Sequence, residues 1–182
     1  MALQFRKADR KDTPAIVKLV NSAYRGAVSR QGWTHEADLI DGDIRTDERE
    51  LSILLTNPNA IILLCFDEEA LAGSVYLENK NGHLYLGMLS VDPLIQAKGI
   101  GKALLAAAEE HARQVQCAAI EMTVISVRHE LINWYKRYGY IPTGEREPFP
   151  ENQHFGVPKQ PLHFVVLRKE LTSAYPDSRP TL

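Results

Sequence analysis

One short passage constrains this chain more than any other. Leu89-Ser90-Val91-Asp92-Pro93 is an apolar run that breaks at Asp-Pro, and Gln96-Ala97-Lys98-Gly99-Ile100-Gly101-Lys102 is a polar loop with two glycines. Residues 102–113, rich in Ala and Leu, then follow at helical spacing. Strand, glycine loop and helix in that order prepare a site for an anion. Glycine lets the backbone turn and approach closely, and a helix start offers unpaired N–H groups with positive dipole character. Two common phosphate motifs do not fit. A dinucleotide fingerprint needs a third glycine where the chain has Leu104, and a Walker loop needs glycine and Ser/Thr where it has Gln96 and Ala103. A phosphorylated ligand held by the loop backbone is the expectation, against an ordinary turn with helpful glycines.

The rest of the chain reads as alternating elements. Residues 3–8 alternate as an opening strand, Asp12-Thr13-Pro14 starts a helix carrying Ile16, Leu19, Val20 and Tyr24, and Gly26 ends it. Thr34 is placed to cap a short helix within 32–42, and Thr46 a further helix through Leu55. Residues 60–66 form a continuous apolar run, a buried strand, followed by strands at 71–77 and 83–91 in an antiparallel meander. Leu104, Leu105, Ala108 and Ala112 mark the core face of the helix after the glycine loop. A strand at 118–125 is reached by a crossover and should run parallel to the strand ending at Val91. Ser126 caps a helix over 128–138 that ends at Gly139; a strand begins at Tyr140, the proline-rich residues 147–160 form an irregular loop, and a last strand spans 162–168. The expected class is mixed α/β (α+β), with one domain over 1–171 and a frayed tail over 172–182.

Charge and hydropathy exclude several roles. A net charge of −2 gives no broad attraction for nucleic acid or an anionic membrane. No apolar run approaches the ~20 residues of a membrane span, and the N-terminus lacks a signal-peptide core, so a soluble cytoplasmic protein is expected. Cys65 and Cys117 lie far apart in apolar stretches, without CxxC spacing, and read as buried thiols; no metal is expected.

Gln-x-x-Gly-x-Gly after a strand ending in Leu-Ser-Val-Asp-Pro resembles the acetyl-CoA signature of the GCN5-related N-acetyltransferases (GNAT). Asn133-Trp134-Tyr135-Lys136-Arg137-Tyr138-Gly139-Tyr140 is similar to that family's aromatic-Tyr-Glu-Lys-x-Gly-aromatic segment, and the order of elements resembles the GNAT fold from end to end. The resemblance implies a mostly antiparallel central sheet of about seven strands, flanked by helices, with a splayed parallel pair in its middle. It also implies acetyl-CoA as co-substrate. Amides around Leu89, Ser90 and Val91 would contact pantetheine and polarise the thioester. Those of Lys98, Gly99, Ile100, Gly101 and Lys102 would hold the pyrophosphate, with Gln96 and Ala97 at the loop's start. The Lys98 and Lys102 side chains read equally as solvated surface charges. Tyr135 falls at the general-acid position; its alternative reading is a packing tyrosine among Trp134, Tyr138 and Tyr140.

Two features depart from the family pattern. Many relatives carry a glutamate base on the strand before the loop, whereas Leu86-Gly87-Met88-Leu89 holds no acid. Glu36, Glu78 and His83 are the candidates, Glu36 first, with a water chain as the alternative. Seven residues before Tyr135, where the family often has asparagine, stands Arg128, which either reaches a CoA phosphate or caps its helix; Asn133 is out of register for that role. Trp33, Glu36, Asp38 and Asp41 make an aromatic, acidic segment suited to a cationic amine, or else a solvated surface helix. Phe149 and Phe155 are expected in the pocket wall. The expected activity is acetyl transfer from acetyl-CoA to a primary amine of a small molecule or peptide by direct attack. The alternatives are a non-catalytic acyl-CoA-binding module and an interaction domain on a borrowed fold. Family precedent allows a homodimer.

Overall fold

Residues 60–66 are apolar at successive positions because both of their faces are covered. A computed structural model describes residues 2–172. Its main strands are β1 (Leu3–Lys7), β3 (Ala60–Asp67), β4 (Ala70–Lys80), β5 (His83–Val91), β6 (Ala119–Ile125), β7 (Ile141–Pro148) and β9 (His163–Glu170). The short strands β2 (Ile40–Asp41) and β8 (Val157–Pro158) pair with each other. The helices are α1 (Thr13–Tyr24), α2 (Gly26–Ser29), α3 (Glu48–Leu55), α4 (Ile100–Gln114) and α5 (His129–Arg137). The seven-stranded sheet runs β1-β3-β4-β5-β6-β9-β7, antiparallel throughout except for the parallel pair β5–β6. The parallel crossover through α4 is thus as expected, and the last strand lies inside the sheet with β7 on its edge.

Alternation along the strands divides the core in two. Ile62, Leu64 and Tyr76 pack with Ile16, Val20 and Leu51 of α1 and α3 on one face. Cys65, Val75, Leu77, Leu84 and Ile120 pack with Leu104, Leu105, Ala108 and Ile132 of α4 and α5 on the other. The helix α4 presses hardest at Gly73, where an added Cβ would lie 2.8 Å from Leu104 Cδ1 and 2.9 Å from the Ser90 carbonyl oxygen. No helix among the described residues is long and apolar enough to cross a membrane.

Several local expectations change. No helix forms over 32–42. The Thr34 hydroxyl is taken up by Arg128 and Glu130, Glu36 N–H donates to Tyr24 O at 2.9 Å, and Ala37 N–H donates to His35 Nδ1 at 3.2 Å, so helical partners are replaced. Helix α3 is capped by Asp47, which accepts from Glu50 N–H at 2.8 Å, while the Thr46 hydroxyl donates to the Glu50 carboxylate. Asp12 turns back to Arg6 and the Asp9 N–H rather than capping α1. Ser126 makes no cap for α5, which starts at His129 behind Arg128. Residues 147–160 carry the end of β7, a 3-10 turn and β8, so that stretch is only partly irregular. Of the expected tail, 173–182 lie outside the described residues.

Leu104 is fully buried. Leu104→Ala should lower the unfolding free energy by about 2–5 kcal/mol in urea titrations. A loss under about 1 kcal/mol would contradict the tight α4–β4 packing.

Candidate active site

The parallel pair is short. β5 and β6 are in register only at His83–Ala119, Leu84–Ile120 and Tyr85–Glu121, after which the strands separate. A bulge then reshapes β5: pairing with β4 jumps between Gly87 and Ser90, and Met88 adopts φ +48°. The Tyr24 hydroxyl fixes this segment by donating to Leu89 O at 2.9 Å. Burial pushes the Tyr24 phenol up to about 12, so it stays a donor across the neutral range.

Two cavities flank the separation. The first, about 290 Å³, lies between the bulge, the glycine loop and the α5 aromatics. The second, about 460 Å³, fills the gap between residues 86–89 of β5 and 122–125 of β6 and extends under the 147–156 loop. Tyr24, Leu89, Arg128, Leu131 and Tyr135 line both, so the cavities meet there.

The first cavity has the chemistry of an anion site. Ala97 (φ +69°) and Gly99 (φ +79°) turn the loop so that α4 begins at Ile100 with no side-chain cap and no acid in its first turn. The first helical bond is Ala103 N–H to Gly99 O at 2.9 Å, which leaves the amides of Ile100, Gly101 and Lys102 at the positive end of a fifteen-residue helix. The two glycines act differently. Gly99 is needed for its positive φ, since an added Cβ would meet nothing; at Gly101 a Cβ would lie 3.2 Å from the Trp134 ring, so its role is the approach of α4 to α5.

Most of the residues expected to hold a cofactor line this cavity: Leu89, Val91, Gln96, Ala97, Gly99, Ile100, Gly101, Lys102 and Arg128. Ser90 does not; it is buried, and its hydroxyl donates to Met88 O. Lys98 is exposed and outside the lining. Gln96 does more than mark the loop: its Oε1 accepts from Trp33 N–H at 2.9 Å and its Nε2 donates to Val91 O at 3.3 Å, strapping the 32–33 turn to β5. Trp33 therefore lines the first cavity, 6.0 Å from Trp134 between ring centroids, and not the second.

Glu36 is also placed differently from an open base. It is buried; its Oε2 accepts from Arg25 Nε at 3.0 Å and its Oε1 from Arg128 Nη1 at 3.3 Å, so both oxygens are occupied. Arg25 also donates to Phe155 O, and Arg128 Nη2 to Thr34 Oγ1 at 2.7 Å, tying four segments together. Burial pulls the Arg25 pKa below its ordinary value, opposed by the Glu36 charge. Arg128 occupies the N-cap position of α5 without capping it. Glu78 is held by Tyr76 and Asn57, His83 sits beside Arg168 and Glu121, and neither lines a cavity. Asp38 and Asp41 are exposed and pair outward with Arg30 and Lys159. Phe149, 5.2 Å from Phe164 between centroids, and Phe155 do line the second cavity. Tyr135 is buried at the junction, 5.0 Å from Trp134 and 5.8 Å from Tyr140, and desolvation raises its phenol pKa. Sequence reasoning missed Tyr24, Arg25, Arg45 and Glu50, all lining the second cavity. No motif marks them.

A family model described as the acetyltransferase (GNAT) family matches residues 15–140, well over half of the 182. The chain belongs to that family. An acetyltransferase of Agrobacterium fabrum is 28% identical over 108 residues, 59% of this chain and 71% of the relative. A spermine/spermidine N(1)-acetyltransferase of Bacillus subtilis is 32% identical over 69 residues, 37% of this chain and 45% of its own length, so the match spans just under half of that relative. The crystal structure of the PaiA N-acetyltransferase of Thermoplasma acidophilum in complex with coenzyme A superposes with a TM-score of 0.70 at 17% identity, covering 94% of this chain and all of that one. The GNAT fold is thereby established.

Glu36→Gln would take the carboxylate from the buried Arg25 and leave the buried Arg128 only its longer contact with Glu130, 3.8 Å. It should cost about 3–5 kcal/mol of stability in urea unfolding. A change below about 1 kcal/mol would show that the cluster does not hold these segments together.

Proposed function

We infer that this chain is an N-acetyltransferase acting in the cytoplasm as one domain over 1–171. It takes acetyl-CoA in the first cavity and a primary amine of a small molecule or peptide in the second. The observation that carries the reading is the junction, where two cavities from opposite sides of the β5–β6 split meet at Leu89 and Tyr135. The coenzyme A named for the PaiA structure and the amines named for the Bacillus relative are consistent with it.

When bound, acetyl-CoA supplies an activated thioester carbonyl. The amides of Ile100, Gly101 and Lys102 take the pyrophosphate charge, and those around the bulge at Leu89 and Val91 face the thioester oxygen as it gains charge. Holding amine and thioester at the junction accounts for most of the acceleration, since well-oriented intramolecular reactions reach effective molarities of roughly 10⁵ M or more. As the new N–C bond forms, the C–S bond breaks and its electron pair goes to sulfur, to which Tyr135 gives its proton. Its raised pKa keeps the phenol protonated at neutral pH. The amine's proton leaves to Glu50, whose Oε1 has no hydrogen-bond partner among the described residues, or to water in the open second cavity.

Tyr135→Phe should lower kcat by about 10²-fold or more in a CoA-release assay with an amine panel. Affinity for acetyl-CoA, measured by calorimetry, should stay within about twofold. Full retention of kcat would overturn the acid role. Acetyl-CoA binding without turnover of any amine by the wild type would mark a non-catalytic acyl-CoA-binding module.

A further inference from the structure

The second cavity carries arginines that the transfer chemistry does not use. Arg25, Arg45 and Arg128 line it together with Glu36, Glu50 and Glu147; Glu36 takes both Arg25 and Arg128, and Arg128 also lies 3.8 Å from Glu130. Arg45 stands apart from these pairs. Its guanidinium lies over the Tyr24 ring, 5.5 Å from the centroid, and no carboxylate or other hydrogen-bond partner engages it among the described residues. Glu50 lines the same cavity with one oxygen unengaged, the other accepting from the Thr46 hydroxyl at 2.6 Å. Arg45 and Glu50 thus share one cavity without pairing to each other. A cation and an anion left unpaired around one cavity are complementary to a ligand that brings both signs. Arg128 points the same way: it is buried, lines the cavity, and its Nε has no hydrogen-bond partner. Planar guanidinium groups match oxyanions in a way that solvated lysines do not. Phe149, stacked on Phe164, and Phe155 add an apolar wall.

We propose that the acceptor is a small amino-carboxylic acid with an apolar side chain, and that Arg45 is the specificity-determining residue that anchors its carboxylate. The amine faces Glu50 and the junction, the acid group faces Arg45 and the Arg128 edge, and the side chain rests on Phe149 and Phe155. This rests on the acetyl-CoA reading above. It excludes a polyamine acceptor, whose second cation would meet Arg45. It also excludes the segment of Trp33, Asp38 and Asp41 as the acceptor's recognition surface, since none of those side chains lines this cavity. A phosphonate offers the same oxyanion chemistry as a carboxylate and is separated from it by the test.

CoA release is measured with phenylalanine, phenethylamine, spermidine and 1-amino-2-phenylethylphosphonate, on wild type, Arg45→Met and Arg45→Lys, with acetyl-CoA affinity followed by calorimetry. The expected result is a kcat/KM for phenylalanine at least about tenfold above that for phenethylamine and for spermidine. In Arg45→Met, KM for phenylalanine should rise at least about tenfold with kcat changed less than about twofold, and Arg45→Lys should recover part of that loss. Phenethylamine or spermidine turned over as well as phenylalanine, or a preference that survives Arg45→Met, would overturn the proposal. So would a preference for the phosphonate, which reassigns the anion, and so would no turnover of phenylalanine. If acetyl-CoA binds normally in these cases, only the acceptor assignment falls. If acetyl-CoA does not bind, the acetyltransferase reading falls with it.

Discussion

Two buried guanidinium groups share one buried carboxylate at the centre of this molecule, and both cavities depend on that cluster. Arg25 follows α1, Glu36 sits in the turn before β2, and Arg128 precedes α5; the Arg25 fork reaches on to Phe155 in the far loop. Segments distant in sequence are thereby fixed to one another where no strand or helix joins them. Burying three charges carries a desolvation cost that only close geometry and full use of the lone pairs offset. Both Glu36 oxygens are used, and Thr34 takes a further Arg128 donor. The cluster therefore supplies shape more than net stability, and it forms part of the wall of the second cavity.

The second constraint is the early separation of β5 from β6. Once ladder pairing ends at Tyr85, the two strands diverge and open a cleft in the middle of an otherwise continuous sheet. The bulge at Met88 and the Tyr24–Leu89 hydrogen bond hold that opening in one shape. The glycine loop and the α4 N-terminus serve one side of the cleft, and the arginine cluster serves the other. Tyr135 is the phenol reached from both sides, held by aromatic neighbours in an apolar setting that keeps its proton in place.

What was legible in the sequence was what local chemistry dictates. The glycine loop, the Leu104–Leu105–Ala108–Ala112 face and the Gly139 helix stop each rest on spacing within a few turns of chain, while the family was legible only through the resemblance of the loop and of the Asn133–Tyr140 segment to known motifs. Side-chain partnerships across the fold were not legible. Glu36 reads as an available acid until Arg25 and Arg128 are seen on its two oxygens. The acidic look of the 33–41 segment dissolves once Asp38 and Asp41 turn outward and Trp33 is strapped by Gln96 to the opposite cavity. Thr34 has the composition of a helix cap but is bonded to α5 residues almost a hundred positions away. Arg45 and Glu50 carry no motif at all; only the cavity brings them to notice.

The most direct test of the account is a calorimetric titration of the full chain with acetyl-CoA, repeated on Gly99→Val. Micromolar binding is expected for the wild type, and binding at least about tenfold weaker in a variant that keeps its circular dichroism spectrum, because a β-branched residue is strained at the positive φ that sets the loop. No binding to the wild type, or equal affinity in the folded variant, would contradict it.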